Sequence, residues 1–131
     1  MSHPFRSVLP VAALLVAAAA CGDSSGPTEP PPGGGCGSGV VTVGAGGQPT
    51  VSWTGSAADS FTVVRAIALN DVIWGVRAVV PDSLASPITV GTVPGNAEPI
   101  TDSVSTLASG YSYRVWVYRK SGGNLCKDFA R

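Results

Sequence analysis

Few side chains in this chain of 131 residues have types and spacing that could support catalysis. The only histidine is His3, so the rest of the chain offers no Ser-His-Asp or Cys-His arrangement, imidazole zinc site or histidine general base. The carboxylates occur singly, and no phosphate-binding glycine pattern, C-x-x-C or G-x-S-x-G motif is found. We therefore expect a protein that is not an enzyme and that has neither catalytic residues, a metal site nor a cofactor.

The chain has three cysteines, and the first follows a distinctive segment. Arg6 precedes a stretch of thirteen residues, Val8 to Ala20, which is apolar except for Pro10 and ends directly before Cys21. A short positive region, an apolar stretch and terminal small residues are typical of a secretory signal peptide, here residues 1–20. The stretch is shorter than the roughly 20 residues that span a bilayer, which argues against a transmembrane helix.

A cysteine at this position resembles the lipobox of bacterial lipoproteins. In that family the thiol is diacylated and the chain is cleaved before it, which implies lipid modification of Cys21. The protein would then be exported and membrane-anchored, at the outer membrane if the cell has one and otherwise at the cell surface, because Gly22 is not the aspartate associated with inner-membrane retention. The family favours leucine where Ala18 stands, and Ala18-Ala19-Ala20 also fits ordinary signal peptidase, so cleavage without lipidation is the alternative.

Composition divides the remaining chain into two parts. Residues 21–39 are rich in Gly, Pro, Ser and Thr, which predicts a disordered linker behind the lipidated cysteine. Residues 40–131 are long enough for one small domain with a single core. Without Arg6, the side chains sum to one net negative charge, eight acidic against seven basic, and this gives no electrostatic case for a nucleic-acid partner.

The domain is predicted to be all-β. Short runs of β-branched and aromatic residues are separated by turn-forming residues, among them Asn70-Asp71 and Pro94-Gly95-Asn96, and no run has a sustained helical period. This spacing is typical of an antiparallel sandwich or barrel of seven or eight strands. The predicted strands are Val40–Val43, Thr50–Trp53, Ser60–Ile67, Val72–Val80, Ile88–Val93, Ile100–Thr106, Tyr111–Arg119 and Leu125–Ala130.

Alternation in the seventh run predicts two different faces. One parity, expected in the core, consists of Tyr111, Tyr113, Val115 and Val117. The other parity, expected to face outward, consists of Ser112, Arg114, Trp116 and Tyr118.

Three short motifs of the domain resemble the fibronectin type III family. The pattern Leu107-x-x-Gly110-x-x-Tyr113-x-Val115 is similar to the entry into strand F, Val51-Ser52-Trp53-Thr54 to strand B, and Phe61-Thr62-Val63 to strand C. The resemblance implies a fibronectin type III-like β-sandwich with Trp53 in the core and a Tyr113 hydroxyl that binds backbone near Leu107. Another Ig-like sandwich is the alternative fold.

Lipidation of Cys21 would leave Cys36 and Cys126 as a pair. Export places them in an oxidising compartment, and the first and last strands of such a sandwich both run along its edge. We therefore expect a Cys36–Cys126 disulfide, with two free thiols as the alternative.

The outward aromatic side chains are the only candidate binding residues. Arg114, Trp116 and Tyr118, extended by Trp74 on a neighbouring run, could stack on a glycan or pack against a protein partner. The alternative is an aromatic stripe that only stabilises its own sheet through cross-strand contacts. The sequence thus predicts a membrane partner through the lipid anchor and a binding or structural role, with a carbohydrate-binding module as the alternative function.

Overall fold

The computed structural model describes residues 35–101, 104 and 106–131, and every regular element in that part of the chain is a β-strand. The predicted all-β class is confirmed. The predicted signal peptide, Cys21 and most of the predicted linker lie outside the described residues. In chain order the strands are β1 (Val41–Val43), β2 (Thr50–Trp53), β3 (Ser60–Arg65), β4 (Ala68–Ala78), β5 (Ile88–Thr89), β6 (Ala97–Pro99), β7 (Ser112–Tyr118) and β8 (Leu125–Ala130).

The eight strands form two antiparallel sheets, which confirms the predicted sandwich. The smaller sheet has the order β1-β2-β5, and the larger has the order β6-β4-β3-β7-β8. The central strands of the larger sheet, β3 and β7, pair from Ser60 opposite Tyr118 to Arg65 opposite Tyr113. Because side chains alternate along a strand, this register decides which residues of both strands enter the core.

The core lies between the two sheets and is built from alternate residues of each strand. Phe61 and Val63 of β3 and Val115 of β7 are completely buried. Trp53 of the smaller sheet is 7% exposed, and its ring centroid lies 6.2 Å from that of Phe61. The predicted core position of Trp53 is therefore confirmed.

Tyr113 anchors the segment that leads into β7. Its side chain is 2% exposed, and its hydroxyl donates a hydrogen bond to the Ala108 carbonyl at 3.0 Å. The neighbouring Leu107 is also buried, and its N–H donates to the Gly47 carbonyl at 2.7 Å in the β1–β2 loop. The predicted hydrogen bond from Tyr113 to backbone near Leu107 is therefore confirmed, and it ties this segment to the larger sheet.

Tyr111 was expected in the core with Tyr113, and this expectation is wrong. β7 begins only at Ser112, so the alternation does not extend to Tyr111, whose side chain is 44% exposed. The guanidinium carbon of Arg65 lies 4.7 Å from the centre of the Tyr111 ring.

Two of the predicted strands are largely or wholly missing among the described residues. The run Ile88–Val93 forms a strand only at its first two residues, because the Thr92 N–H donates to the Thr89 carbonyl and Gly91 has a positive φ. None of the described residues of the run Ile100–Thr106 is in a strand. A three-residue edge strand, β6, lies just upstream of that run, and two of its residues are exposed, so no hydrophobic pattern marked it.

The turn between β3 and β4 also differs from its predicted position at Asn70-Asp71. The chain turns at Ala66-Ile67, and the two turn-forming residues lie within β4. Register shifts on both sides of Val64 show an irregularity in the β3–β4 ladder. Asn70-Asp71 lie in this irregular part of β4, between Ala68 opposite Arg65 and Val72 opposite Val64, and have no Cα partner in β3.

We expect Tyr113→Phe to lower the free energy of unfolding by about 1 kcal/mol, because one buried hydrogen bond is lost while the ring is kept. Trp53→Ala should lower it by about 3–5 kcal/mol through the cavity left in the core. Urea unfolding measures both changes. Tyr111→Phe is the matched control and should leave the stability unchanged, so an equal loss in the two Tyr→Phe variants would contradict the role of the Tyr113 hydroxyl.

Candidate functional site

The outward face of the larger sheet is centred on β7. Arg114, Trp116 and Tyr118 point away from the core on this strand, and we call these three residues the aromatic column. On one side their Cα partners in β3 are Val64, Thr62 and Ser60. On the other side, the β8 partners of the first two residues of the column are Asp128 and Cys126.

The three side chains of the aromatic column stack on one another along the strand. The rings of Trp116 and Tyr118 are nearly parallel, at 8°, with centroids 6.1 Å apart. The guanidinium carbon of Arg114 lies 5.7 Å from the centre of the Trp116 ring. Arg114 precedes Trp116 by two residues and Tyr118 follows it by two, so the indole has a stacked neighbour on each side along the strand.

The stacking leaves Trp116 little contact with solvent. Its side chain is 7% exposed, although it points away from the core, and its β3 neighbours Thr62 and Val64 are 6% and 2% exposed. A ring that binds a sugar must offer an open face to the ligand. The geometry therefore favours the interpretation in which the aromatic column stabilises its own sheet, and it argues against a sugar platform on Trp116.

Arg114 is held in place by an ion pair with Asp128 on β8. Its Nε and Nη2 donate to the two carboxylate oxygens of Asp128 at 2.6 and 2.9 Å. This side-chain hydrogen bonding raises the pKa of Arg114 and lowers the pKa of Asp128, against the opposing effect of desolvation. Because both carboxylate oxygens are engaged, the pair orients the guanidinium towards Trp116.

The expectation that Trp74 extends this face is wrong. Its Cα partner is the core residue Val63, its side chain is 1% exposed, and its ring packs edge-on against Phe61 at 5.9 Å. Trp74 has the parity of the buried residue Val76, and the same alternation that predicted the faces of β7 would have placed it correctly.

The outward position of β4 beside Thr62 is occupied by Gly75. A Cβ atom at this glycine would lie 3.0 Å from the Phe61 carbonyl oxygen and 3.4 Å from the Cδ1 atom of Ile100. The Ile100 N–H also donates to the Gly75 carbonyl at 2.9 Å. The absence of a side chain on β4 thus gives Ile100 room to pack against the outward face.

The disulfide predicted between Cys36 and Cys126 is confirmed, with a Cα–Cα distance of 5.0 Å. Cys126 is the β8 partner of Trp116, so the bridge lies beside the aromatic column. The Gly37 N–H donates to the Asn124 carbonyl at 2.7 Å, which holds the same segment against the loop before β8. The bridge spans 90 residues of sequence, and closing a loop of that size stabilises the fold by about 4–5 kcal/mol in the chain-entropy model.

Arg119 has a structural role that no motif in the sequence indicates. Its Nη1, Nη2 and Nε atoms donate to the carbonyls of Thr54, Gly122 and Gly123, respectively, at 2.8–3.0 Å. These bonds connect the β2–β3 loop to the β7–β8 loop. Gly122 and Gly123 both have positive φ, a conformation that glycine adopts readily. This pair of glycines is the local sequence signal for the conformation of the loop.

The part of the chain that the structure describes contains no cluster of three or more His, Cys, Asp or Glu residues that could hold a metal ion. It also contains no helix with the length and apolar character to cross a bilayer.

We expect Trp116→Ala to lower the free energy of unfolding by about 3 kcal/mol, because a large buried ring would be lost from the aromatic column. Tyr111→Ala, which removes an exposed ring, should cost less than about 1 kcal/mol. Chemical denaturation of the two variants measures the difference. Wild-type stability in Trp116→Ala would contradict the bracing role and reopen this face as a binding surface.

We also expect the Arg114–Asp128 pair to make stability depend on pH. The folded pKa of Asp128 lies below its unfolded value, so the pair stabilises the fold above about pH 4 and this contribution is lost as the pH falls further. Asp128→Asn should lower stability at pH 7 by a few tenths to about 1 kcal/mol. The melting temperatures of Asp128→Asn and the wild type should converge at acid pH.

Arg114→Gln removes the same bond from the other strand and serves as the matched variant. Its melting temperature should also approach that of the wild type at acid pH. A difference between wild type and either variant that stays constant from pH 7 to acid pH would contradict the assignment.

No family model, no curated protein and no solved structure matches the chain.

Proposed function

We propose that this protein is an exported, lipid-anchored protein of the cell envelope that carries a non-catalytic β-sandwich on a linker. The observation that carries the proposal is the Cys36–Cys126 disulfide. It accounts for two of the three cysteines, and it leaves Cys21, directly behind the apolar stretch, as the cysteine for lipid modification. A disulfide is also a bond that persists in oxidising compartments, outside the cytosol.

The linker and the position of the bridge also support this proposal. Residues 22–35 lie between the proposed lipid attachment site and the disulfide, and their Gly/Pro-rich composition is typical of a spacer. The bridge connects the end of this spacer directly to β8. A load transmitted through the linker would therefore reach the larger sheet, and would not fall on the three-residue strand β1 alone.

Within this proposal, we assign the sandwich to the fibronectin type III type. Two observations support the assignment: the division of the strands into β1-β2-β5 and β4-β3-β7-β8, and the Tyr113 hydroxyl bond to Ala108. The additional edge strand β6 would then be an elaboration of the type. Such domains serve mainly as binding or spacing modules, so the proposed role is a binding or structural one at the envelope.

The test is the chemical state of Cys21. We expect the full-length protein, expressed with its signal, to partition into the detergent phase, and its intact mass to show cleavage before Cys21 plus acyl groups. Cys21→Ser should abolish acylation. The variant should then either be released from the membrane or remain uncleaved. The Cys36→Ser/Cys126→Ser double variant is the control and should remain acylated. An unmodified cysteine at the N-terminus of the mature protein would refute the proposal.

A further inference from the structure

Exposed apolar side chains occur at both ends of the sandwich. Val79 and Val80 follow β4 and are 60% and 63% exposed, and Val93 is 42% exposed. We call the surface formed by Val79, Val80, Pro81, Val93 and Pro94 the proximal tip. The Val79 N–H donates to the Asn96 carbonyl at 3.0 Å, so its two segments lie side by side.

The opposite end carries a second exposed apolar group, which we call the distal tip and which consists of Ile67 and Tyr111. Ile67, in the β3–β4 turn, is 88% exposed, and Tyr111 is 44% exposed. The Ala66 N–H donates to the Ser112 carbonyl at 3.0 Å, which places these residues at the start of β7. The seven residues of β7 separate the two ends by about 20 Å.

The strand register places the disulfide at the same end as the proximal tip. Ser60 pairs with both Arg77 and Tyr118, so the end of β4 lies level with the end of β7. Cys126, which is bonded to Cys36, lies one residue inside the start of β8 at that same end. β8 and β4 are three strands apart, which is about 14 Å.

The proposed anchor can bring this end of the domain to the membrane surface. Fifteen residue steps separate Cys21 from Cys36, and they can span at most about 50 Å. A Gly/Pro-rich linker of this length, as predicted from the composition, has a root-mean-square span of about 20 Å. The proximal tip can thus reach the bilayer surface, while the distal tip lies farther from the point where the linker enters the domain, by about the length of the sandwich.

The charges around the proximal tip are balanced. Asp82, in the β4–β5 loop, lies 3.7 Å from the ammonium group of Lys120. The next pair inward joins Arg77 of β4 to Glu98 of β6 as cross-strand partners. Because these charges cancel in pairs, anionic lipid headgroups would neither repel nor strongly attract this surface.

We propose that the proximal tip docks into the headgroup region of the bilayer that holds the acyl chains of Cys21. This inference rests on the proposed lipid anchor. Three exposed valines would bind a membrane weakly from solution, but attachment at Cys21 makes the contact intramolecular and raises the effective concentration of lipid at the tip. The domain then stands on the membrane with the end of β4 and the start of β8 towards it and the distal tip pointing away.

The experiment uses the full-length acylated protein in vesicles of phosphatidylethanolamine and phosphatidylglycerol (3:1), with and without brominated acyl chains. Val80→Trp places a reporter indole on the proximal tip, Val79→Trp provides a second one, and Ile67→Trp is the matched control on the distal tip. Bromine quenches nearby indoles, so the emission added by the two proximal reporters should be lost in brominated vesicles. The emission of Ile67→Trp should not change.

Every other pattern overturns the inference. No loss in any variant means that the domain stands off the membrane, a loss only in Ile67→Trp means that the opposite end docks, and a loss in all three means that orientation is not defined. Intact mass tests the lipid anchor separately. If Cys21 is unmodified, its thiol is coupled to a maleimide-headgroup lipid in the same vesicles, and the same three variants then decide docking although the proposed function has failed.

Discussion

The register between β3 and β7 is the constraint on which the rest of this structure depends. Both strands are central in the larger sheet, and a shift of one residue would exchange Tyr113 and Val115 in the core for Arg114 and Trp116. Several contacts oppose such a shift. On the core side, the Tyr113 hydroxyl is bonded to Ala108; on the outward side, Arg114 is bonded through two nitrogens to Asp128. Contacts on both faces of β7 therefore stabilise the same register with β3.

This constraint also explains why the most aromatic surface of the protein is largely closed. β7 has neighbours on both sides, so its outward side chains lie in the middle of a five-stranded sheet. There Trp116 stacks with Tyr118 and Arg114 and shields Thr62, whose hydroxyl is buried without a hydrogen-bond partner. An unpaired buried hydroxyl costs free energy, which packing of the large indole around it helps to offset. The aromatic column is thus a second, smaller hydrophobic layer outside the main core.

With the outward face of the larger sheet largely closed in this way, the most exposed large apolar side chains lie at the ends of the sandwich. One end is organised by polar backbone contacts: Arg119 joins two loops through three carbonyls, and the disulfide fixes the incoming chain beside β8. The other end is the β3–β4 turn with Ile67 at its tip. The preceding chain is attached at only one end of the sandwich, so the two ends are not equivalent. In an anchored domain, this difference would favour one orientation of the sandwich relative to the membrane.

How much could be predicted from the sequence depended on how local each signal was. The all-β class, the bounds of β2 and β8, and the two parities within β7 follow from residue types and from a period of two, which any half-buried strand must show. The Cys36–Cys126 pairing followed from counting three cysteines and assigning one to the lipid. The strand bounds and parities depend on properties that neighbouring residues carry by themselves, whereas the cysteine pairing depends on the cysteine count of the whole chain.

The remaining features depended on partners distant in sequence. Asn70-Asp71 has the composition of a turn but lies within β4, because the residues on both sides of it, Ala68 and Val72, pair with β3. β6 formed where β4 left an edge free, although its own residues are largely exposed. Trp116 and Tyr111 are both aromatic residues next to polar ones, yet one is buried and the other is not, because only Trp116 has strands on both sides. The sequence by itself determined the all-β class, the extent of β2 and β8 and which face of β7 is apolar. Only the tertiary structure decided which edges pair and which outward side chains are covered, because those outcomes depend on contacts between strands far apart in the chain.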